Sequence, residues 1–336
     1  MPPRKKRPTI YDVAESAGVS IATISRVLNS QDNVNVETRS RVLTAIDRLG
    51  FVPKAEARAR ARRHTGRIGV VTPFFTAPSF TQRLRGVAAL LSQSNYELVI
   101  YTVDSASRLH GYISSIPLLG NLDGLVLMSL PIEDVDARRI VEHGLEAVLI
   151  EYPHPLLNSV EIDDEEGGRM AALHLLGKGH TRIGFIGDAN PLEEFVIHPI
   201  GKRLAGFRAA LAGAGHPMAS NLIRFAPNTE EASRQAAQDL LGQDPRPTAL
   251  FAAADVQALS VLKVARQRRL EVPDQLAVLG FDDIDTAEYA DLTTISQHLF
   301  ESGRLAAEIL VSRLGNPDQP LQHVHLPLSL VERLST

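Results

Sequence analysis

The stretch TIYDVAESAGVSIATISRVLN, residues 9–29, has the pattern of two short helices joined by a tight turn. Thr9 followed by Asp12 is a capping pair of the kind that begins a helix. Gly18 lies where the turn needs a left-handed backbone, which glycine adopts without strain. Ser20 is placed to cap the second helix. The spacing therefore predicts a helix, a glycine turn and a second helix.

The second of these helices has two different faces. Ile24, Val27 and Leu28 recur at helical spacing and predict a buried face. The opposite face carries small, apolar and hydrogen-bonding side chains, namely Ile21, Ala22, Ser25, Arg26 and Asn29. This mixture suits the base edges and phosphates of a DNA major groove. By itself the pattern also fits an ordinary helical hairpin with a solvated outer face.

A third amphipathic segment, VNVETRSRVLTAIDRLGFVP at residues 34–53, predicts a helix over residues 36–49. With this segment the chain resembles the lactose-repressor (lac/gal repressor) family of bacterial transcription regulators. The resemblance implies a helix-turn-helix DNA-binding domain at 1–53, a hinge or linker at 54–65, and an effector-binding and dimerisation domain at 66–336.

Composition places the chain among soluble globular proteins. Its 336 residues are 44% hydrophobic and 22% charged, which predicts two or three domains with ample core. No apolar run is long enough to span a bilayer. The basic residues 4–7 are followed by polar sequence, so we expect no export signal and a cytoplasmic location. The absence of cysteine excludes disulfides and cysteine-based chemistry.

Charge is distributed unevenly along the chain. Residues 1–65 carry 13 Lys or Arg against 6 Asp or Glu, whereas residues 66–336 carry 22 against 33. A basic head on an acidic body is typical of a DNA-binding domain joined to a domain that avoids DNA. A solvated basic tail explains residues 4–7, but not the basic residues that follow at Arg26, Arg39, Arg41, Arg48 and Arg58.

From residue 67 onward, apolar strands alternate with amphipathic helices, which predicts a doubly wound α/β architecture. The predicted strands are 68–72, 98–103, 124–128, 147–151, 182–186, 222–225, 249–253 and 276–280. The predicted helices are 80–93, 134–144, 165–176, 202–212, 230–241, 255–268 and 301–314.

The resemblance adds a two-lobed body like that of a periplasmic binding protein, with a ligand cleft between the lobes. Lobe 1 would cover about 66–162 and 294–322, and lobe 2 about 163–293 and 323–334. Crossovers are then expected near residues 162–164, 293–297 and 323.

Polar residues follow several predicted strands, where ligand sites in open α/β sheets lie. Taken alone, each of these residues is better explained as a helix cap or a surface residue. The family resemblance favours an effector role through the motifs KRLAGFRAAL, GFDD, TTISQ and APSF. It implies an effector-binding set of Phe80, Glu151, Arg203, Asp255, Phe281, Asp282 and Gln297. Because Ala254 replaces a polar family residue, the effector cannot be copied from any one relative. The resemblance implies a carbohydrate as the commonest class of effector, with a nucleobase as the alternative.

The resemblance also assigns DNA contacts in the head. It implies that bases are approached by Ile10, Ile21, Ala22 and Arg26, with Ser25 on the same face. It implies phosphate contacts by Thr9, Ser20, Thr23, Asn29, Asn35 and Thr38. A homodimer with two such heads predicts a palindromic operator with half-sites about one helical turn apart.

The linker departs from the family pattern. Ala57 and Arg58 match the hinge helix that the family folds on DNA, whereas Lys54 replaces an Asn and Arg60 stands where a leucine would enter the minor groove. An apolar wedge unstacks and bends DNA, while arginine favours a narrow minor groove. Our hypothesis is that this protein bends its operator less. A one-turn shift of register or a merely electrostatic linker are equal alternatives.

Other functions have little support in the sequence. The acids at 163–166 are explained by the N-terminal end of a helix, and His323 with His325 lacks a third metal ligand. No phosphate-binding loop or hydrolase motif is present. We therefore expect neither an enzyme nor a cofactor. A solute-binding protein without a DNA role is the remaining alternative, but it leaves residues 1–60 unexplained.

Overall fold

The computed structural model describes residues 8–29, 34–49, 51, 65–188 and 199–336. These residues form two compact units. The described residues up to Phe74 belong to the first unit, together with Ala88–Ser159 and Ala306–Gln322. The second unit comprises the described parts of Phe75–Val87, Val160–Leu305 and His323–Thr336. None of the described helices is both long and apolar enough to cross a membrane.

The head consists of helices α1 (Ile10–Ala17), α2 (Ile21–Asn29) and α3 (Val36–Leu49). Thr9 N–H donates to Asp12 Oδ2 at 2.6 Å, which completes the predicted capping box. Gly18 has a φ of 63°, in the left-handed region. The predicted helix, glycine turn and second helix are therefore confirmed.

The apolar faces of the three head helices form one small core. Val13, Ile24, Val27 and Ile46 are buried in it, as the helical spacing of α2 predicts. Short helices fray in water, so this packing holds them; burial of each large apolar side chain contributes about 1.5–3 kcal/mol. Leu118, far along the chain in the same unit, also packs into this core.

The body contains two six-stranded sheets with helices between the strands. One sheet has the order β11-β5-β4-β3-β1-β2 and the other β12-β10-β9-β8-β6-β7. The strands are β1 (Arg67–Pro73), β2 (Glu97–Val103), β3 (Gly124–Met128), β4 (Glu146–Ile150), β5 (Asn158–Glu161), β6 (Ile183–Asp188), β7 (Ile223–Ala226), β8 (Ala249–Ala252), β9 (Ala277–Asp282), β10 (Thr293–Ser296), β11 (His323–His325) and β12 (Ser329–Val331).

The helices of the body connect these strands. They are α4 (Pro78–Leu91), α5 (Ala106–Leu119), α6 (Asp134–Glu142), α7 (Asp164–Gly177), α8 (Ile200–Gly213), α9 (Glu230–Leu241), α10 (Asp255–Gln267), α11 (Asp285–Tyr289) and α12 (Leu299–Gly315). A 3₁₀ turn, Ser220–Leu222, precedes β7. Every predicted strand and helix overlaps an observed one, and the predicted doubly wound α/β architecture is confirmed.

Helix α5 was missed by the sequence analysis because it has no clear polar face. Leu109, Ile113 and Ile116 are buried, but so are the intervening Ser114 and Ser115. A helix buried on most sides shows no alternation of apolar and polar residues. Its local signals lie at its two ends: Ser105 accepts a hydrogen bond from the Arg108 backbone N–H, and Gly120 follows the last turn with a φ of 57°.

Candidate functional site

The outer face of α2 is open to solvent. Ile21, Ala22 and Arg26 are exposed, whereas Ile24 and Val27 on the other face are buried. The side chains of Ser25 and Asn29 lie outside what the structure describes. The two-faced character that the sequence predicts for this helix is thus confirmed for the described side chains.

Three of the residues assigned to phosphate contacts cap the head helices. Thr9 begins α1, Ser20 Oγ accepts from the Thr23 backbone N–H at 3.2 Å, and Asn35 Oδ1 accepts from the Thr38 backbone N–H at 2.8 Å. Each cap orders the start of a helix, where backbone N–H groups and the helix dipole favour an anion. The caps therefore orient the three helix N-termini.

One exposed residue of the head was not assigned from the sequence. Tyr11, in the first turn of α1, is 70% exposed. It lies on the solvent-exposed side of its helix, and the neighbouring Ile10 is half-buried. The helical spacing that predicts a buried Val13 also predicts that Tyr11 is exposed, so the sequence contained the signal for this residue. The four linker residues named above, Lys54, Ala57, Arg58 and Arg60, lie outside the described residues.

In the second unit, β8, β9 and β10 are neighbours in one sheet, and β9 pairs in parallel with both others. Asp282 at the end of β9 lies opposite Ser296 at the end of β10. Gln297 follows at once, and its Nε2 donates to Asp282 Oδ1 at 2.5 Å. Parallel register therefore brings these two predicted effector residues together at the carboxyl edge of the sheet.

Arg203 reaches the same sheet edge from α8. Its Nε donates to Asp164 Oδ1 at 2.8 Å and its Nη1 donates to the Ala253 carbonyl at 2.7 Å. Its Cζ atom lies 3.7 Å from the centroid of the Phe281 ring. The guanidinium is only 4% exposed, and the acid, the carbonyl and the aromatic face together stabilise its buried charge.

Asp255 is completely buried beneath this edge. Burial raises the pKa of its carboxyl group well above the ordinary value, and the negative charge of Asp282 raises the pKa further. Its oxygens accept hydrogen bonds from the Ile284 backbone N–H at 2.9 Å and from Thr294 Oγ1 at 2.6 Å. Asp255 therefore ties the loop after β9 to strand β10.

Phe80 belongs to the same unit and lies in the first turn of α4, where it is half-buried. One turn later, Arg83 places its Cζ atom 6.0 Å from the centroid of the Phe80 ring. Arg83 Nη2 also donates to Gln297 Oε1 at 2.8 Å. Arg83 could not be predicted from the sequence, because no local pattern links residues 83 and 297.

Glu151 is the one predicted effector residue in the first unit. It follows β4 and accepts a hydrogen bond from the hydroxyl of Ser129, which follows the neighbouring β3. Glu151 has a φ of 75° and Ser129 a φ of 53°. Left-handed backbone at residues other than glycine costs of order 1–3 kcal/mol and clusters at functional sites. The two strained residues therefore indicate a candidate functional position at the carboxyl ends of β3 and β4.

The acidic residues at 163–166 lie at the N-terminal end of α7, as the sequence predicts. Asp163 Oδ1 accepts from the Glu166 backbone N–H at 3.0 Å, which caps α7. Its neighbour Asp164 is the partner of Arg203. In the described part of the chain, no three His, Asp or Glu residues are grouped so as to hold a metal ion.

Comparison with known families agrees with this architecture. Residues 9–54 match the family described as bacterial regulatory proteins, lacI family. Residues 172–336 match a periplasmic binding protein-like domain. The HTH-type transcriptional regulator CelR of Thermobifida fusca is 33% identical over 96% of this chain and 96% of its own. The chain belongs to the lacI family of bacterial regulatory proteins.

Other family members match over similar lengths. Catabolite control protein A of Priestia megaterium is 31% identical and covers 98% of this chain and 99% of its own. The ribose operon repressor of Escherichia coli K12 is 31% identical, covering 97% of this chain and 98% of its own. These relatives are transcription regulators and not enzymes. As a member of the same family, this chain is a DNA-binding transcription regulator.

Solved structures of the lacI family share the fold. A complex of the transcriptional regulator CelR with cellobiose superposes with a TM-score of 0.71 at 30% identity, covering 98% of this chain and all of that chain. A lac repressor dimer bound to operator and the anti-inducer ONPF gives a TM-score of 0.69 at 27% identity, covering 98% and 99%. The predicted family and fold are confirmed.

Proposed function

We propose that this protein is a repressor whose affinity for a palindromic operator is controlled by a sugar bound between its two lobes. The observation that carries the proposal is the convergence of Arg203, Phe281, Asp282 and Gln297 at one sheet edge. A carboxylate and an amide beside an aromatic ring suit a molecule with several hydroxyl groups and an apolar ring face. Sugars have this chemistry.

Relatives support the sugar class. The CelR structure contains cellobiose, and a LacI family regulator from Enterococcus faecium, 26% identical, was solved with bound ribose. Within the proposed site, Arg203 and Asp282 contact the effector from lobe 2, and Phe80, Glu151 and Gln297 contact it from lobe 1. Asp255 belongs to the proposed site as the residue that accepts hydrogen bonds from the Ile284 N–H and the Thr294 hydroxyl, and so ties the segment after Asp282 to β10.

The proposed DNA contacts follow from exposure and capping in the head. Ile21, Ala22 and Arg26 face the bases, because they form the open side of α2. The helix N-termini capped by Thr9, Ser20 and Asn35 face phosphates. The proposal also includes Ile10, Thr23, Ser25, Asn29 and Thr38, the exposed ring of Tyr11, and linker residues Lys54, Ala57, Arg58 and Arg60 at the operator centre.

We further propose that the protein acts in the cytoplasm as a homodimer. Two heads related by a two-fold axis read a palindrome, which one head cannot distinguish from a single half-site. The lac repressor relative was solved as a dimer on its operator.

Selection of binding sites from random DNA tests the DNA half of the proposal. The full chain should enrich a palindrome, and Arg26→Ala should weaken binding to it without loss of the folded protein. The effector half is tested by thermal shift of the full chain with neutral sugars, sugar phosphates and nucleobases. If only nucleobases stabilise the protein, the effector class is nucleobases and not sugars. Enrichment of no DNA site would overturn the proposal.

A further inference from the structure

Three buried side chains of the second unit form a hydrogen-bonded chain that ends in the proposed effector site. Arg83 Nη2 donates to Gln297 Oε1 at 2.8 Å, and Gln297 Nε2 donates to Asp282 Oδ1 at 2.5 Å. We propose that Arg83 is a positioning residue, which fixes the Gln297 amide and the Asp282 carboxylate before an effector arrives. This inference rests on the proposed function, in which Gln297 and Asp282 contact the effector.

The direction of this chain follows from the chemistry of its members. A guanidinium has only donors, and an ionised carboxylate has only acceptors. The amide between them must therefore present its oxygen to Arg83 and its nitrogen to Asp282. A charged donor at one end and a charged acceptor at the other strengthen both bonds, because each bond polarises the next. Arg83 thereby acts on Asp282 through Gln297.

Burial increases the cost of losing either of these two hydrogen bonds. Arg83 and Gln297 are each 3% exposed, and Asp282 is 8% exposed. Water competes little for donors and acceptors at such depth, so a lost partner is costly to replace. Asp282 also has a φ of 122°, a backbone conformation that side-chain contacts must help to hold. An intact chain from Arg83 thus contributes to the geometry of the carboxylate.

Arg83 is itself held in place by packing. Its backbone lies so close to Gly303 of α12 that a Cβ atom at 303 would come within 1.9 Å of the Arg83 carbonyl oxygen. The first half of α4 is therefore fixed against α12, and the Phe80 ring lies beside the guanidinium. A donor on a rigid helix loses little conformational entropy when it orients its partner.

The same helix offers a matched control. Arg85, two residues later, donates to Asp285 Oδ2 at 2.5 Å. Both side chains of that pair are more than half exposed, so water replaces the lost bond readily. Arg85→Met therefore removes a guanidinium and an ion pair from α4 without touching the chain through Gln297.

The direct test uses the full chain without effector and follows the Gln297 side-chain amide by NMR. Gln297→Glu assigns the signal, and hydrogen exchange of its NH2 group is then measured in each variant. We expect exchange at least tenfold faster in Arg83→Met, an intermediate rate in Arg83→Lys, and the wild-type rate in Arg85→Met. An unchanged rate in Arg83→Met would overturn the inference. If that variant does not fold, Arg83→Gln, which keeps one donor, replaces it.

A second measurement links the chain to binding, with cellobiose and D-ribose as probes. For a probe that binds the wild type, Arg83→Met should raise Kd at least tenfold, while operator affinity without probe stays within twofold. Equal probe affinity in Arg83→Met and wild type would overturn the positioning role. A wild type that binds neither probe counts against the proposed sugar class, and the exchange experiment still decides the role of Arg83.

Discussion

The DNA-reading head and the effector-side cluster of the second unit use polar side chains in opposite ways. In the head, the capping residues Thr9, Ser20 and Asn35 are exposed, and each cap joins residues three positions apart. In the cluster, Arg203 pairs with a residue 39 positions away and Arg83 with one 214 away, and both are buried. Substitutions on the exposed face of α2 should therefore affect DNA binding with little effect on folding, whereas those in the cluster should affect folding and effector binding together.

The largest effect is expected at Asp255, at the base of the cluster. Asp255→Ala removes the acceptor of the Ile284 N–H and the Thr294 hydroxyl, which both become buried donors without that partner. Two such losses at about 2 kcal/mol each give a destabilisation of roughly 4 kcal/mol. Denaturant unfolding of the second unit measures it. A loss below about 1 kcal/mol would show that the cluster does not support the fold.

Asp255→Asn is the control, and it isolates the charge. The raised pKa of Asp255 means that the folded protein keeps its proton at a pH where the unfolded chain has released it. The contribution of Asp255 to stability is therefore greatest near or below the unfolded value of 3.8 and falls as the pH rises towards the folded pKa. Asparagine does not titrate. As the pH rises above 3.8, the free energy of unfolding of the wild type should therefore fall relative to that of Asp255→Asn.

The next largest effect is expected at Arg203. Arg203→Met keeps the length of the side chain but leaves Asp164 and the Ala253 carbonyl without their guanidinium partner. Breaking a buried ion pair costs about 3 kcal/mol. Unfolding measurements should show this loss, and thermal shift should show loss of effector binding. A variant that binds effector normally would remove Arg203 from the proposed site.

In the head, Arg26→Ala should separate binding from folding. Arg26 is exposed on α2, so its removal leaves the buried core of the head unchanged. Loss of a base or phosphate contact is expected to cost about 2 kcal/mol, or roughly thirtyfold in operator Kd. Fluorescence anisotropy measures Kd, and circular dichroism serves as the folding control. Equal operator affinity would place Arg26 outside the DNA interface.

The smallest effect is expected at the cap of α1. Thr9→Ala removes the side-chain half of the capping box with Asp12 and should destabilise the head by about 1 kcal/mol. Thermal unfolding of the full chain, observed through signals of the head, measures the change. Thr9→Ser retains the hydroxyl and should restore most of the loss. If serine gives no restoration, the effect of alanine is not due to capping.

This difference between the two regions explains how far the sequence could be interpreted. The head depends on local patterns, so its caps, its glycine turn and the buried face of α2 were predicted. Eight of the twelve described strands of the body were predicted from apolar runs, and the short strands β5, β10, β11 and β12 were not. Helix α5 was missed because its polar residues are buried as well. Arg203 and Asp282 required family motifs, and Arg83 was not found at all, because its partner lies beyond any local pattern.

The central claim is that DNA and effector control each other's binding, and reciprocal affinities test it most directly. Operator Kd is measured with and without saturating effector, and effector Kd is measured with and without saturating operator DNA. Both Kd values should change by the same factor, at least fivefold and within the 1–3 kcal/mol that is typical of allosteric coupling. An effector that binds the full chain but leaves operator Kd unchanged would contradict it.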